Sequence, residues 1–342
     1  MFTIRISIEQ LRTMLAYADR AGVDTDRVLA SLDLSQSELC AATDPGLLWQ
    51  AHDQLGRALR TALSVARGER PFDETDREIL FHYLVSAADL RQVLERFVGF
   101  AASHRERLGF DYRLESSPTA VILRGRHHTA ADDASTTLIL LRSANQLHYL
   151  MSWLSGSRVQ ATRVAVPGPR PDSAPPLWAI DTEIAHGAAS FEMWFLPQVL
   201  QRAVIRDHAD AEIFLGCIGS VVAGLSAQLS LPDTVSEIIE RHCFATGQML
   251  SFRQLAVVLN TSETTLRRRL QEQGAGEGYS ELRQGCQMRL ARRFLGNAEL
   301  TVDEIALRIG FQDSNAFRRS FKRWTGMTPS AWRSEVLAAG LA

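Results

Sequence analysis

The sequence is poor in cysteine, with only Cys40, Cys217, Cys243 and Cys286 among its 342 residues. They stand far apart, with neither the paired spacing of a zinc site nor the density of a disulfide framework, so reduced thiols in a cytoplasmic protein are expected. No apolar run approaches the ~20 residues that a membrane helix needs. The N-terminal MFTIRISIEQ lacks the basic-then-apolar layout of a secretory signal. A phosphate-cradling glycine loop and a nucleophile elbow are both missing. Cys40 (in SELCAAT) and Cys217 (in FLGCIGS) have none of the histidine and proline context of an activated cysteine. The adjacent His127 and His128 have no acidic or histidine partner at ligand spacing and read as surface residues. No catalytic residue, metal site or cofactor is expected, and the chain does not read as an enzyme. Scarcest of all is lysine: Lys322 stands alone, and every other basic residue is arginine.

What is present is an uneven distribution of charge. The whole chain carries a net charge of −2, which advertises no polyanion partner. Before Leu231 there are 22 basic and 27 acidic residues, a net of −5. From Ser251 to Arg333 there are 14 basic against 8 acidic, a net of +6. The asymmetry places a polyanion-binding module at the C-terminus.

Periodicity divides the chain in the same place. Ser7–Ala21 reads as a helix capped by Ser7 and Gln10, followed by a short helix over Asp24–Leu32 and a longer one over Gly46–Val65 with Leu48, Leu55, Leu59 and Leu63 inward. Ile79–Val85 is apolar and ambiguous between strand and helix, and Ala88–Ala101 is helical. Phe110–Glu115 and Ala120–Arg126 then alternate around the turn Ser116–Thr119, which predicts a hairpin. A long helix over Ser135–Ser155, a strand over Arg158–Val166, a loop with five prolines (Pro167–Pro176), a strand over Ala189–Phe195 and an apolar helix over Asp210–Leu229 complete an α+β domain of residues 1–230. Ser230–Thr234 reads as a turn and the junction.

The remainder, residues 231–342, reads as all-α. Val235–Ala245 is a helix stopped by Gly247. Ser251 caps a helix running to Leu259, and Asn260–Ser262 turns into a second helix, Glu263–Glu272, whose Leu266 and Leu270 face inward. Tyr279–Leu295 is a connecting helix. Thr301 and Glu304 form a capping box ahead of Ile305, Ala306 and Ile309; Gly310 ends that helix and Asp313 caps the next. In the last of these, Phe317 and Phe321 face inward and Ser314, Asn315, Arg318, Arg319, Lys322 and Arg323 face outward. A helix, a tight turn and a basic second helix is what entry into the DNA major groove requires, and the pattern occurs twice, over 251–272 and 301–325.

The run GFQDSNAFRRSFKRWTGMTPSAWR resembles the signature of the AraC/XylS family of bacterial transcription regulators, carried here by Gly310, Phe311, Phe317, Phe321, Lys322, Gly326, Thr328, Pro329 and Arg333. The order of elements in the first 230 residues is similar, without a diagnostic motif, to the arabinose-binding-like sensor domain of one subgroup. The resemblance implies two helix-turn-helices on a linking helix, reading two successive major-groove segments of double-stranded DNA. It also implies base-reading roles for Thr264, Arg267 and Arg268 in the first reader, and for Ser314, Asn315, Arg318 and Arg319 in the second. Lys322 and Arg323 are placed for phosphates, as are Arg292 and Arg293 on the connecting helix. A small-molecule effector, RNA polymerase and a second copy of the chain are the further partners implied, with activation the commoner outcome. The effector-binding residues cannot be read, and an N-terminal domain that only dimerises or contacts polymerase is the alternative.

Overall fold

The computed structural model describes residues 7–32, 34–41, 45–127, 134–171, 182–226, 230–273, 279–297 and 299–338, with the side chains at 40, 41, 45, 46, 49, 106, 127, 218–226 and 336–338 excepted. His128, the His127 and Cys40 side chains, the proline loop from residue 172 and the expected helix end at 227–229 lie outside the described residues. The chain divides into two compact units, Met1–Leu215 with Leu225–Gln228, and Gly216–Gly224 with Leu229–Ala342.

The first unit opens with α1 (Ile8–Arg20), α2 (Thr25–Ala30), α3 (Gln36–Ala41), α4 (Pro45–Ala66), α5 (Glu74–Val85), α6 (Leu90–Ser103) and α7 (Arg105–Leu108). The Ser7/Gln10 capping box opens α1, and Leu11, Leu15 and Ala18 are buried on its inner face. On α4, Leu48, Leu55 and Leu59 are buried, and Leu63 is half-buried. The ambiguous Ile79–Val85 is helix. It is the second half of α5, whose start is fixed upstream by a reciprocal box between Asp73 and Asp76. A helix nucleated there continues through the apolar run, because each further residue adds a backbone hydrogen bond at little entropic cost.

The sheet comprises β1 (Phe110–Ser116), β2 (Val121–His127), β3 (Arg163–Ala165), β4 (Ile184–Ala185) and β5 (Phe191–Phe195), with α8 (Ala134–Ser155) between β2 and β3. Spatial order is β1-β2-β5-β3-β4, antiparallel except for the β3–β4 pair. The hairpin pairs Phe110 with His127 through to Ser116 with Val121. Alternation sorts the faces. Tyr112, Leu123, Gly125, Phe191, Met193 and Phe195 share the inner face. Gly125 is required there, since a Cβ would come within 2.7 Å of the Tyr112 ring. The outer face carries Arg124, which pairs with Glu115 at 3.1 Å and Glu192 at 2.6 Å. Two helices, α9 (Pro197–Leu200) and α10 (His208–Ser226), follow, and the division between the units falls inside α10. Phe81, Trp153 and Phe214 stack together in the core, the last two with centroids 4.3 Å apart.

The strand expected over Arg158–Val166 is only three residues long. Side chains from α8 take its first backbone donors: Val159 N–H donates to Ser152 Oγ (2.9 Å) and Ala161 N–H to His148 Nε2 (3.1 Å). With those groups satisfied, no ladder forms there. The contact also fixes His148 as a neutral imidazole, because Nδ1 is bonded to the Ala144 carbonyl and Nε2 must accept. Burial pushes its pKa from 6.5 to about 4. The unfolded chain binds a proton below 6.5 that the native chain refuses, so this contribution to stability is complete above that pH and is lost as pH falls from 6.5 towards 4. Thermal unfolding followed across that window is expected to show Tm falling with acidity, and His148→Gln to flatten the slope. An equal slope in the variant would assign the acid sensitivity elsewhere.

The second unit contains α11 (Leu231–Thr246), α12 (Phe252–Val258), α13 (Glu263–Glu272), α14 (Tyr279–Leu295), α15 (Val302–Arg308), α16 (Ser314–Thr325) and α17 (Pro329–Ala338). Ser230–Thr234 is not a turn: Ser230 caps α11, and Pro232 sits in its first turn, where the missing N–H is one the helix leaves unpaired anyway. Gly247 closes α11 at φ 70°. The core joins Leu290, Phe294 and Leu295 of α14 to Ile305, Ala306, Ile309, Phe317 and Phe321, with Phe311, Trp324 and Trp332 against it.

Candidate nucleic-acid interface

Two helix pairs, α12–α13 and α15–α16, are built alike. Each opens on a capping box: Ser251 with Gln254, and fifty residues later Thr301 with Glu304. Each first helix ends in a left-handed residue, Asn260 at φ 49° and Gly310 at φ 81°. The closing hydrogen bonds correspond, Thr261 N–H to Ala256 O at 2.9 Å and Phe311 N–H to Ala306 O at 2.9 Å. The second turn is one residue longer, and Ser262 and Asp313 then cap the second helices through the N–H groups of Thr265 and Ala316. Leu266 and Leu270 are buried in α13, as Phe317 and Phe321 are in α16. With the buried positions aligned, Thr264 matches Asn315, Arg267 matches Arg318 and Arg268 matches Arg319.

The turn between α15 and α16 is closely packed at Gly310. A Cβ on Gly310 would meet Arg283 Nη2 at 2.8 Å and Met249 Cβ at 3.3 Å, in a backbone conformation that L side chains already resist. Gly310→Ala is expected to cost about 1–2 kcal/mol, measured as a shift in the denaturation midpoint. A neutral result would mean that the turn relaxes to another geometry.

The connecting helix α14 ties both pairs down. Tyr279 packs on Phe252 with centroids 4.6 Å apart and donates its hydroxyl to Leu250 O at 3.3 Å. Gln287 Nε2 donates to Ile309 O at 2.9 Å, at the turn of the second pair. The 17 residues of α14 span ~25 Å.

Thr264, Arg267, Arg268, Asn315, Arg318 and Arg319 are exposed and Ser314 is half-buried, so the structure brings each set of residues to the outer side of its helix. Their surroundings differ. Arg267 lies over the Phe252 ring, 5.1 Å from its centroid. Arg268 pairs with Glu272 one turn on. Arg318 Nη2 reaches Asp303 Oδ1 at 3.2 Å, across to the start of α15. Hydrogen bonds from Ser314 and Arg318 hold the Asp303 carboxyl below its ordinary range. Lys322 and Arg323 are exposed one turn further along. Arg292 stacks on Trp332 at 5.0 Å and Arg293 on Phe244 at 3.6 Å. Sequence reading missed these supports. Asp303 and Arg318 lie on different helices, and only the geometry of the turn brings them together.

Residues 255–335 match the family model described as a helix-turn-helix domain. Over 283 residues the chain is 28% identical to the ornithine utilization regulator of Pseudomonas aeruginosa, an alignment covering 80% of this chain and 78% of that protein. It is 31% identical over 158 residues to the transcriptional activator RhaR of Klebsiella pneumoniae, covering 45% of this chain and 50% of RhaR. Residues 255–335 are thus a helix-turn-helix domain, in a chain similar to these regulators along much of its length. The chain is a DNA-binding transcription regulator, as the motif at Gly310–Arg333 implied. Among solved structures, the transcriptional regulator CdpR from Pseudomonas aeruginosa aligns over 97% of this chain and 99% of its own at 18% identity, with a TM-score of 0.31, too low to compare folds. Relative to the AraC/XylS signature, Phe317 and Phe321 are core residues, while Phe311 and Trp324 are half-buried against the same cluster. Thr328 caps α17 through the Ala331 N–H at 3.2 Å, which gives the family's threonine-proline pair a local role: a cap, then a proline at the first helical position. Among the described residues, no helix is long and apolar enough to cross a membrane.

Proposed function

We propose that both helix pairs are helix-turn-helix readers, placed on successive major-groove segments of one DNA face. The observation carrying this is the positional equivalence of Thr264, Arg267 and Arg268 with Asn315, Arg318 and Arg319, all exposed opposite the buried Leu or Phe residues of their helices. Arginine donates twice to guanine O6 and N7, asparagine pairs with adenine N6 and N7, and threonine meets either edges or a thymine methyl. Ser314 adds a hydroxyl at the start of the second reader. Lys322, Arg323, Arg292 and Arg293 take phosphates, which position the protein without specifying sequence. A linking helix of ~25 Å with its flanking turns suits readers about one DNA turn apart, roughly 34 Å.

The reading is tested by selecting bound DNA from a random pool at stated salt. Two conserved segments centred about 10 base pairs apart are expected. A single short segment would leave one helix pair without a reading role.

Asp303 tunes the second reader. Its carboxylate holds Arg318 and Ser314 in place and repels phosphate elsewhere. Asp303→Asn is expected to strengthen binding to unrelated DNA modestly and to narrow the gap between specific and unrelated sequence. Competition binding measures this, and an unchanged ratio would make the contact incidental.

Residues 1–230 serve as the regulatory domain. The alignment with the ornithine utilization regulator runs well beyond the DNA-binding module, which supports a shared regulatory part. Effector binding there alters dimer geometry or frees the DNA-binding domain. Occupied half-sites then act on RNA polymerase, with activation the expected outcome, in line with the activator RhaR.

A further inference from the structure

Helices α4 and α8 are bridged by arginines. Arg67, just past the end of α4, reaches across to Thr136 Oγ1 at 2.8 Å, Arg60 to Ser143 Oγ at 3.0 Å, and Arg142 back to His52 Nδ1 at 3.0 Å and Asp53 Oδ1 at 2.9 Å. Arg142 lies directly on Gly56, where a Cβ would come within 2.6 Å of its guanidinium carbon. Tyr112 stands on the inner face of β1, and burial pushes its phenol up to about 12, so it is a neutral hydroxyl.

Around Arg60, charge among the described residues is weighted to the positive side. Among the described residues, Asp53 is the one carboxylate acting on Arg60, whereas Arg142 and Arg77 both repel it. Asp53 is already divided, with Oδ1 on Arg142 and Oδ2 on Arg57. His52, 1% exposed, is held well below its ordinary pKa by burial and by Arg142, so it is neutral and accepts from that arginine. Arg60 meets a hydroxyl, not a carboxylate, across the seam. Burial and the neighbouring Arg142 push its guanidinium down to about 10. A guanidinium has five donors in a rigid fork, and Arg60, half-buried, keeps a cation partly withdrawn from water, which an anion of good geometry would offset.

We propose that this seam is the effector site, and that it takes the carboxylate of a small organic acid on the Arg60 guanidinium, with Arg142 and Tyr112 completing its wall. The proposal rests on the reading of residues 1–230 as an effector-responsive domain. A planar carboxylate offers two oxygens at the spacing of the guanidinium fork, which makes it the matching ligand chemistry. It would neutralise a cation that no described carboxylate bonds directly, and it would link α4 to α8 and β1 through a group present only when the effector is.

The test is thermal unfolding of the full chain with five probes: ornithine, 1,4-diaminobutane (the same amines without the carboxylate), benzoate, inorganic phosphate and arabinose. A carboxylate probe is expected to raise Tm in proportion to the logarithm of its concentration, while 1,4-diaminobutane and arabinose do not. Arg60→Gln should weaken that probe at least tenfold while keeping probe-free DNA binding. Arg60→Lys, which retains the cation and loses the fork, should be intermediate, and it decides the matter if the glutamine variant does not fold. No shift from either carboxylate at roughly 10 mM, or a shift that survives in both variants, overturns the proposal. Phosphate acting alone would overturn it in favour of an inorganic-anion site. Arabinose or 1,4-diaminobutane acting alone overturns this site and leaves effector control standing. A carboxylate bound through Arg60 that leaves DNA binding unchanged upholds the site and removes effector control.

Discussion

Phe317→Ala is expected to cost about 3–5 kcal/mol, the usual range for emptying a fully buried phenylalanine site. Phe317 and Phe321 are the only buried residues of α16 among those described, so the two rings and the Asp313 cap hold α16 against its unit. Phe317 is 0% exposed, and its ring lies 5.6 Å from Phe311 and 5.7 Å from Phe321 by centroid. Truncation strips packing from both sides and opens a void beneath the helix that carries Asn315, Arg318 and Arg319. A domain typically has only about 5–15 kcal/mol of stability, so a loss of this size brings the unit close to unfolding. Hydrogen exchange of the α15–α16 amides in the full chain reads it locally, against Phe317→Leu, expected to lose much less. Protection unchanged in the alanine variant would mean that α16 is held by packing outside this cluster.

Such a residue is legible in sequence because its signal is local. Phe317 and Phe321 stand four apart after a cap, and the capping boxes at Ser7, Ser251 and Thr301 each lie within three residues of their partner. The hairpin and the connecting helix Tyr279–Leu295 were readable for the same reason, since period and turn chemistry are properties of neighbouring residues. What the sequence conceals depends on chain path. The shortened strand at Arg163–Ala165 follows from His148 and Ser152, which take its donors from another helix. Arg60 and Ser143 are far apart in sequence, and no pattern pairs them. The candidate readers divide in the same way. That Arg267 and Arg318 face outward is periodicity; that one rests on Phe252 and the other on Asp303 is tertiary structure.

That difference bears on the double variant Arg267→Ala/Arg319→Ala. Each substitution alone is expected to cost about 1–3 kcal/mol in specific binding and to relax preference at one position of one segment. If the two pairs read separate groove segments, the changes share no partner, so the double variant is expected to lose the sum, about 2–6 kcal/mol. Lys322→Ala is the control: removing a phosphate anchor weakens binding to every sequence alike and lowers the salt slope by about 0.9. Arg267→Lys refines the first reader, because the ammonium keeps the charge but loses the fork and much of the stacking on Phe252. A lysine variant as poor as alanine at the cognate base pair argues for bidentate reading, and one as good as arginine argues for charge alone. Measured affinities at one salt concentration decide the arrangement. A double variant no weaker than the worse single variant would mean that one helix pair engages bases while the other only rests on the backbone. Full additivity, with each single change mapping to a different segment, requires both pairs in the groove at once.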